Sequence, residues 1–327
     1  MLYINLLIVL LASFTITFLL IKYKIKTKLQ AYPNHRSIHQ EVMPNSGGIA
    51  IFISFIMGIL LLHVDVGFAV IFCMTIVFLF GIYDDIFDAR MRWKISILFL
   101  VGNILFFNGY SMEYLGTYLG YSIVLSSVEA YIFLIFVVIS FVNSMNLIDG
   151  LDGLVSVVGI IILGSFLYLG LKFNDPFLTY VPAIYIASII GYLYFNWSPA
   201  KIFMGDNGSL PLGLIIAIVA IHAVNMHYVT PVTILMLAAL PILDTFVVMT
   251  KRISSGVSPF RADRSHIHHI ILRQQKNNTK RTVLILGLVQ LLLSYIGLGF
   301  KIREDILIFG LFFMLYVLFY FLLTPKK

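Results

Sequence analysis

The chain has 327 residues, of which 60% are hydrophobic and only 11% charged, with a formal net charge of +7 and a mean hydropathy of +0.99. A soluble domain of this length is far more polar, so a water-soluble enzyme or binding module is excluded. The positive balance needs no nucleic acid to explain it, because basic residues flanking apolar segments meet anionic lipid headgroups.

Apolar runs of roughly 17–20 residues recur along the whole chain, each long enough to cross a bilayer as a helix. In chain order they fall near 3–22, 47–63, 67–83, 94–109, 129–147, 154–171, 177–196, 209–223, 229–249, 282–300 and 303–323. The expected fold is therefore an all-α polytopic membrane protein of about 11 spans, forming a single domain over 1–327. The first run has no basic residue ahead of it and no small-residue cleavage pattern after it, so it reads as a retained span. Residues 110–128 carry Gly, Tyr and Ser at intervals and read as an exposed hairpin or a short interfacial helix. The single cysteine, Cys73, lies inside the third run, so no disulfide framework is possible and a packing role is expected. The sequence shows no internal repeat and no low-complexity linker.

Charge sets the orientation. If the first long loop, 23–46, is cytosolic, then all 22 Lys and Arg except Lys172, Lys301 and Arg303 fall on that same face. The positive-inside rule then places the N-terminus outside and the C-terminus in the cytosol. The same assignment brings four acidic clusters and a histidine cluster to the cytosolic side.

The first cluster is Gly81-Ile-Tyr-Asp84-Asp85-Ile-Phe-Asp88-Ala-Arg90-Met-Arg92-Trp93-Lys94. Adjacent carboxylates near lipid repel each other, and a divalent cation or a proton-transfer role would relieve them. Asp84 and Asp88 share a face if the segment stays helical, and Arg90, Arg92 and Lys94 suit phosphate oxygens. The bland alternative is a solvated loop of self-paired charges. The second cluster is Asn143-Ser-Met-Asn146-Leu-Ile-Asp149-Gly150-Leu-Asp152-Gly153-Leu154. Its spacing of three predicts one helical face presenting Asn143, Asn146, Asp149 and Asp152 in a row. Helix capping accounts for one acid and one glycine, not for the doubled pattern.

The third cluster, Gly205-Asp206-Asn207-Gly208-Ser209, predicts a tight turn with Ser209 capping the next helix. Asp206 is a hard oxygen ligand of the kind Mg²⁺ takes. The fourth, Arg261-Ala-Asp263-Arg264-Ser-His266-Ile-His268-His269, hints at zinc, but a compact third or fourth ligand is missing. Its imidazoles, with Arg261 and Arg264, could instead hold a diphosphate or a sugar. The stretch 265–281 is amphipathic and could lie flat on the membrane. His35-Arg36-Ser-Ile-His39 is a weaker phosphate candidate and reads better as a basic lipid-facing loop. Asp244, in the ninth run after Pro241, is compatible with pairing to Arg252 or with supporting a site from behind.

Taken together, these motifs resemble the polyprenyl-phosphate N-acetylhexosamine-1-phosphate transferases of the WecA and TagO type (glycosyltransferase family 4, related to MraY). The resemblance covers essentially the whole chain. It rests on the Asp84-Asp85 pair, the Asn143–Leu154 run, the Gly205–Ser209 turn and the His266–His269 element. It implies Mg²⁺ dependence, with Mn²⁺ as a substitute, and transfer of a sugar-1-phosphate from a UDP-N-acetylhexosamine to undecaprenyl phosphate with release of UMP. GlcNAc is the favoured sugar, because the His-Ile-His-His form looks like the GlcNAc-1-phosphate branch. By motif position, Asp206 would hold Mg²⁺ with help from Asn146. Asp84 and Asp85 would handle the lipid phosphate, one of them as base, with Lys94 beside the diphosphate. Asn143, Asp149, Asp152, Arg90, Arg264, His266, His268 and His269 would line the substrate site. The implied setting is a bacterial cytoplasmic membrane with the site on its cytosolic face, as a monomer or a homodimer. The competing readings are an intramembrane prenyltransferase, an ion-coupled transporter and a catalytically silent scaffold.

Overall fold

A computed structural model describes residues 2–23, 29–31, 42–258, 266–300 and 305–322. In chain order the helices are α1 (Leu2–Lys22), α2 (Gly47–Leu61), α3 (Phe68–Phe87), α4 (Met91–Phe107), α5 (Ser127–Ile148), α6 (Leu154–Phe173) and α7 (Pro176–Asn196). They continue with α8 (Asp206–Asn225), α9 (Pro231–Leu237), α10 (Ala239–Ser254), α11 (Ile267–Gln274), α12 (Thr279–Gly299) and α13 (Asp305–Leu322). Among the described residues, eight of these are long and apolar enough to cross a membrane, nine if the bent pair α9–α10 is counted as one span. Each of the eleven expected segments coincides with helix, although α2 and α4 are short.

The bundle is organised around α8. Its sequence is apolar on all sides, and a helix of that kind belongs inside. Along its membrane-length stretch α8 is 94% buried, against 22% for α1 and for α13. α2, α3, α5 and α6 surround it. Close approach is possible because glycines meet its first turn. A Cβ on Gly81 of α3 would lie 2.5 Å from the Asp206 carbonyl oxygen, and one on Gly48 of α2 would lie 2.3 Å from the Gly208 nitrogen. Any larger residue would push these helices off the N-terminus of α8.

The expected ninth span, 229–249, is not one straight helix. It breaks at Ala238, and the two pieces meet at 93°. Pro241 supplies the reason: proline has no N–H to give residue 237, and its ring clashes with that carbonyl. The stranded groups are taken up by α12. Gln290 Nε2 donates to the Leu237 carbonyl at 2.8 Å, Ser294 Oγ donates to the same oxygen at 3.1 Å, and the Leu240 N–H donates to Gln290 Oε1 at 2.9 Å.

The all-α expectation needs a small amendment. Two antiparallel ladders are present, β1 (Gln30–Ala31) with β2 (Met43–Pro44), and β3 (Tyr114–Tyr118) with β4 (Tyr121–Val124). The second resolves the 110–128 segment as a hairpin. Leu119 and Gly120 turn it with φ of 52° and 87°, the backbone hand that matches strand twist. A reciprocal Ser126–Glu129 capping box then starts α5.

Candidate functional site

The end of α3, the start of α4, the end of α5 and the start of α8 meet at one end of the bundle. Lys94, in the first turn of α4, is the hub. Its ammonium lies 2.9 Å from Asp84 Oδ2 and 2.7 Å from Asp206 Oδ2, and donates to Asn146 Oδ1 at 3.1 Å. Asn146 Nδ2 donates to Asp206 Oδ1 at 2.8 Å and to Ser209 Oγ at 2.9 Å. Lys94 and Asp206, 112 positions apart in sequence, therefore share one ion-pair network with Asp84.

Asp85 plays a different part from its neighbour. Gly205, with φ of 73°, precedes α8 and offers no side chain to cap it. Asp85 does so from α3. It accepts the Asp206 N–H at 3.0 Å and the Asn207 N–H at 2.9 Å, and also takes the side-chain amides of Asn207 and, at 2.7 Å, of Asn45. A carboxylate at a helix N-terminus answers both the orphan donors and the helix dipole. Ser209 is not the cap expected from sequence, because the helix begins three residues earlier, at Asp206.

The Asn-Asp row is split. α5 ends at Ile148, Asp149 closes it with ψ of 56°, and Gly153 takes φ of 79° before α6. Asp149 and Gly153 thus turn the expected continuous face into a last helical turn plus a loop. Asn143, largely buried, donates to Ile139 O within its own helix. Asp152 Oδ2 accepts the Ala200 N–H at 3.1 Å. Asp149 is pushed up to about 8, first by burial and then by the charges of Asp206, Asp85 and Asp152. Asp88 adopts a left-handed φ of 50° that ends α3, and it is exposed. Arg90 is exposed as well.

A polar cavity of about 550 Å³ opens beside this network, lined by Asn45, Asp149, Gly150, Asp152, Asn196, Ser198, Phe203, Asp206, His269 and Thr279, among others. The histidine element closes one side. His266 Nδ1 lies 2.9 Å from Asp244 Oδ2, and the Ile267 N–H donates to Asp244 Oδ1 at 2.8 Å. His268 is buried against Gly150, where a Cβ would fall 2.2 Å from its Nε2. Burial holds the His268 imidazole down at about 3, hence neutral. Arg264, Arg261, Arg36 and His39 lie outside the described residues. Asp244 was visible in the sequence, but nothing in its neighbourhood there pointed 22 residues ahead to His266. Asn45 carried no signal beyond turn composition, and Ser209 was read as a helix cap rather than as a partner of Asn146.

A second cavity, about 540 Å³ and almost wholly apolar, lies between α5, the bent pair and α13. Phe133, Phe136, Val137 and Phe141 line it from α5, Ile234, Ile242 and Phe246 from the bent pair, and Phe309 and Phe312 from α13. Phe141 is five positions before Asn146 on the same helix, a rise of about 7.5 Å.

The donor set around Asp206 is oxygen-rich. Among the described residues no three His, Cys, Asp or Glu side chains come close enough to hold a metal unaided. One or two carboxylates, completed by water and phosphate oxygens, is the arrangement Mg²⁺ favours over an all-protein cage. Asp206, with Asp84 across Lys94 from it, fits that pattern.

Comparison with known proteins agrees with the motifs. The model of glycosyl transferase family 4 matches residues 67–224, which include the Asp84–Lys94, Asn143–Asp152 and Asp206 segments. An undecaprenyl-phosphate alpha-N-acetylglucosaminyl 1-phosphate transferase of Yersinia pestis is 29% identical, over 87% of this chain and 80% of the relative. The enzyme of the same name from Escherichia coli K12 is 28% identical over 87% of this chain and 80% of its own length. A probable undecaprenyl-phosphate N-acetylglucosaminyl 1-phosphate transferase of Bacillus subtilis is 28% identical over 82% of this chain and 76% of its own.

Proposed function

We propose that this chain, which is similar to glycosyl transferase family 4 over residues 67–224 and to undecaprenyl-phosphate N-acetylglucosaminyl 1-phosphate transferases over most of its length, is a membrane transferase that moves a sugar-1-phosphate from a UDP-sugar to undecaprenyl phosphate. The products are undecaprenyl-diphosphate-sugar and UMP, and GlcNAc-1-phosphate is the favoured group. The observation that carries the proposal is the meeting of Asp84, Lys94, Asn146 and Asp206 beside a polar cavity, with a separate apolar groove whose α5 wall includes Phe141, five residues before Asn146. An anionic, water-soluble donor fits the first space and a polyprenyl tail fits the second.

In this reading the lipid phosphate oxygen attacks the sugar-proximal phosphorus, and the bond from that phosphorus to the oxygen it shares with the uridine-side phosphate breaks. The electron pair leaves with UMP. Lys94 neutralises charge on the transferring group, and its two carboxylate partners and Asn146 keep its ammonium in place. Phosphoryl transfer asks the protein mainly for such positioning and neutralisation. Asp206 would hold Mg²⁺, oriented by Asn146, and the ion would supply Lewis-acid stabilisation of the diphosphate. Asp85 anchors the first turn of α8 and so holds Asp206 in register. A lipid phosphate is largely ionised near neutral pH, so Asp84 orients it more than it deprotonates it. The displacement is direct, without a phospho-aspartate.

The chain would sit in the bacterial cytoplasmic membrane with eleven crossings, N-terminus outside, C-terminus and site in the cytosol, as the distribution of Lys and Arg supports. An ion-coupled transporter would carry its ionisable residues near mid-bilayer, whereas these gather at one end of the helices.

The test is purified protein in nanodiscs with undecaprenyl phosphate, Mg²⁺ and a panel of UDP-sugars. Mg²⁺-dependent UMP release, fastest with UDP-GlcNAc, is expected. Absence of UMP with every donor would refute the reading, and a phosphorylated aspartate trapped in a single turnover would refute direct displacement.

A further inference from the structure

The histidine element is held from inside the bundle. Asp244 of α10 is 1% exposed, and each of its carboxylate oxygens serves one of two consecutive residues: Oδ2 faces His266 Nδ1 at 2.9 Å and Oδ1 accepts the Ile267 N–H at 2.8 Å. Ile267 begins α11, so the carboxylate fixes both the residue before that helix and its first N–H. A buried acid beside lipid is costly unless it is partnered and useful. What it secures here reaches the polar cavity within one turn: His268 packs against Gly150, and His269 lines the cavity with Asp149, Asp152 and Asp206. The same helix serves the other cavity, because Ile242 and Phe246, each two residues from Asp244, line the apolar groove.

We propose that Asp244 is a positioning residue for the donor side of the reaction: by clamping His266 and the start of α11 it seats His268 against Gly150 and presents His269 to the polar cavity. This deepens the transferase reading and rests on it. It separates cleanly from a general role in stiffening α10. Loss of stiffness would spread to the groove that Ile242 and Phe246 line and would raise KM for the lipid phosphate. Loss of the clamp would stay on the nucleotide-sugar side.

The experiment compares kcat and both KM values for the full-length protein with Asp244→Ala, Asp244→Asn, His266→Ala and the double variant Asp244→Ala/His266→Ala, with Phe246→Ala as the mirror case. Amide hydrogen exchange across 266–274 is measured in parallel on each. Asp244→Ala should lower kcat/KM for the UDP-sugar by about 10- to 100-fold, the scale of a misplaced catalytic geometry, and leave KM for undecaprenyl phosphate within about 2-fold. Asn keeps an acceptor for the Ile267 N–H, so Asp244→Asn should recover most of that loss. The double variant should be no worse than the more damaged single, as for groups acting as one unit. Phe246→Ala should show the opposite split. Exchange at 266–274 should accelerate in Asp244→Ala while the start of α8 stays protected. A rise in KM for the lipid in Asp244→Ala, additive losses in the double variant, or unchanged exchange at 266–274 would each overturn the proposal. The exchange measurement needs no turnover, so it decides the clamp even if no UDP-sugar is a substrate.

Discussion

The two ends of this bundle differ in how their carboxylates are matched, although Asp85 at the site end is as fully bonded as any acid at the far end. At the far end Asp175, just before α7, accepts the Leu178 N–H, lies 2.9 Å from His222 Nε2 and accepts the Tyr228 hydroxyl at 3.2 Å. Asp305 there accepts the Thr117 N–H and the Thr230 hydroxyl, at 2.7 and 2.6 Å. Each acid has donors of its own. At the site end Asp84 and Asp206 share a single ammonium, and Asp149 faces other acids across the cavity. Acids that hold a fold together are saturated. If the site takes up a cation and an anionic donor, as proposed, the carboxylates around Lys94 are where the cation would be held.

That contrast can be broken most violently at Asp206. Asp206→Ala should abolish UMP release, a loss of more than about 10³-fold in kcat, while the protein still inserts and runs as a single species in detergent. Full activity in that variant would end the metal assignment. Lys94→Met should cost about 10²- to 10³-fold for loss of the shared cation, again measured as UMP release. Next comes Gly150→Ala, whose new Cβ meets the His268 ring. It should reduce kcat/KM for the donor by about 10-fold through displacement of the histidine element.

The far end should answer in stability alone. Asp175→Ala should lower thermal stability by about 1–3 kcal/mol, the cost of stranding buried donors, with kcat unchanged. The pH dependences should also differ in sign. Burial alone would raise the Asp175 carboxyl, but its donors hold it below the usual range. Its contribution is therefore present above the ordinary carboxylate value near about 4 and is lost as pH falls through the folded value. Asp149 is held up at about 8, so the ligand-free fold binds a proton there that the unfolded chain has released. Its contribution is full below about pH 4 and is lost as pH rises to about 8. Thermal melts of Asp149→Asn should show a flatter slope across that window than the parent. The smallest effect is expected at Arg90, exposed beyond the end of α3. Arg90→Ala should change turnover by less than about 2-fold, in line with surface substitutions generally.

Much of this was legible in the sequence because the physics is local or repetitive. Span length shows in hydropathy, and the motifs carry more polar groups than helix ends need. The hairpin at 110–128 was readable from its turn residues as one of two options. What was hidden is long-range pairing. Pro241 signals trouble within a helix, yet nothing beside it says that the break is filled by Gln290, about fifty residues on. Asp84 and Asp85 read as equivalent, and only the fold shows one in an ion pair and the other on a helix N-terminus 121 residues away. Asp244 and His266 looked unrelated for the same reason.

The Gln290 contact has a practical corollary for anyone building hybrids of such transferases. The bend between α9 and α10 is written in two places at once, proline on one helix and an amide on its neighbour. Grafting residues 229–254 into a host without the matching glutamine would leave a stranded carbonyl and N–H in the hydrocarbon layer. Such a graft should mis-shape the apolar groove even though every residue lining it on the transplanted piece had been carried across.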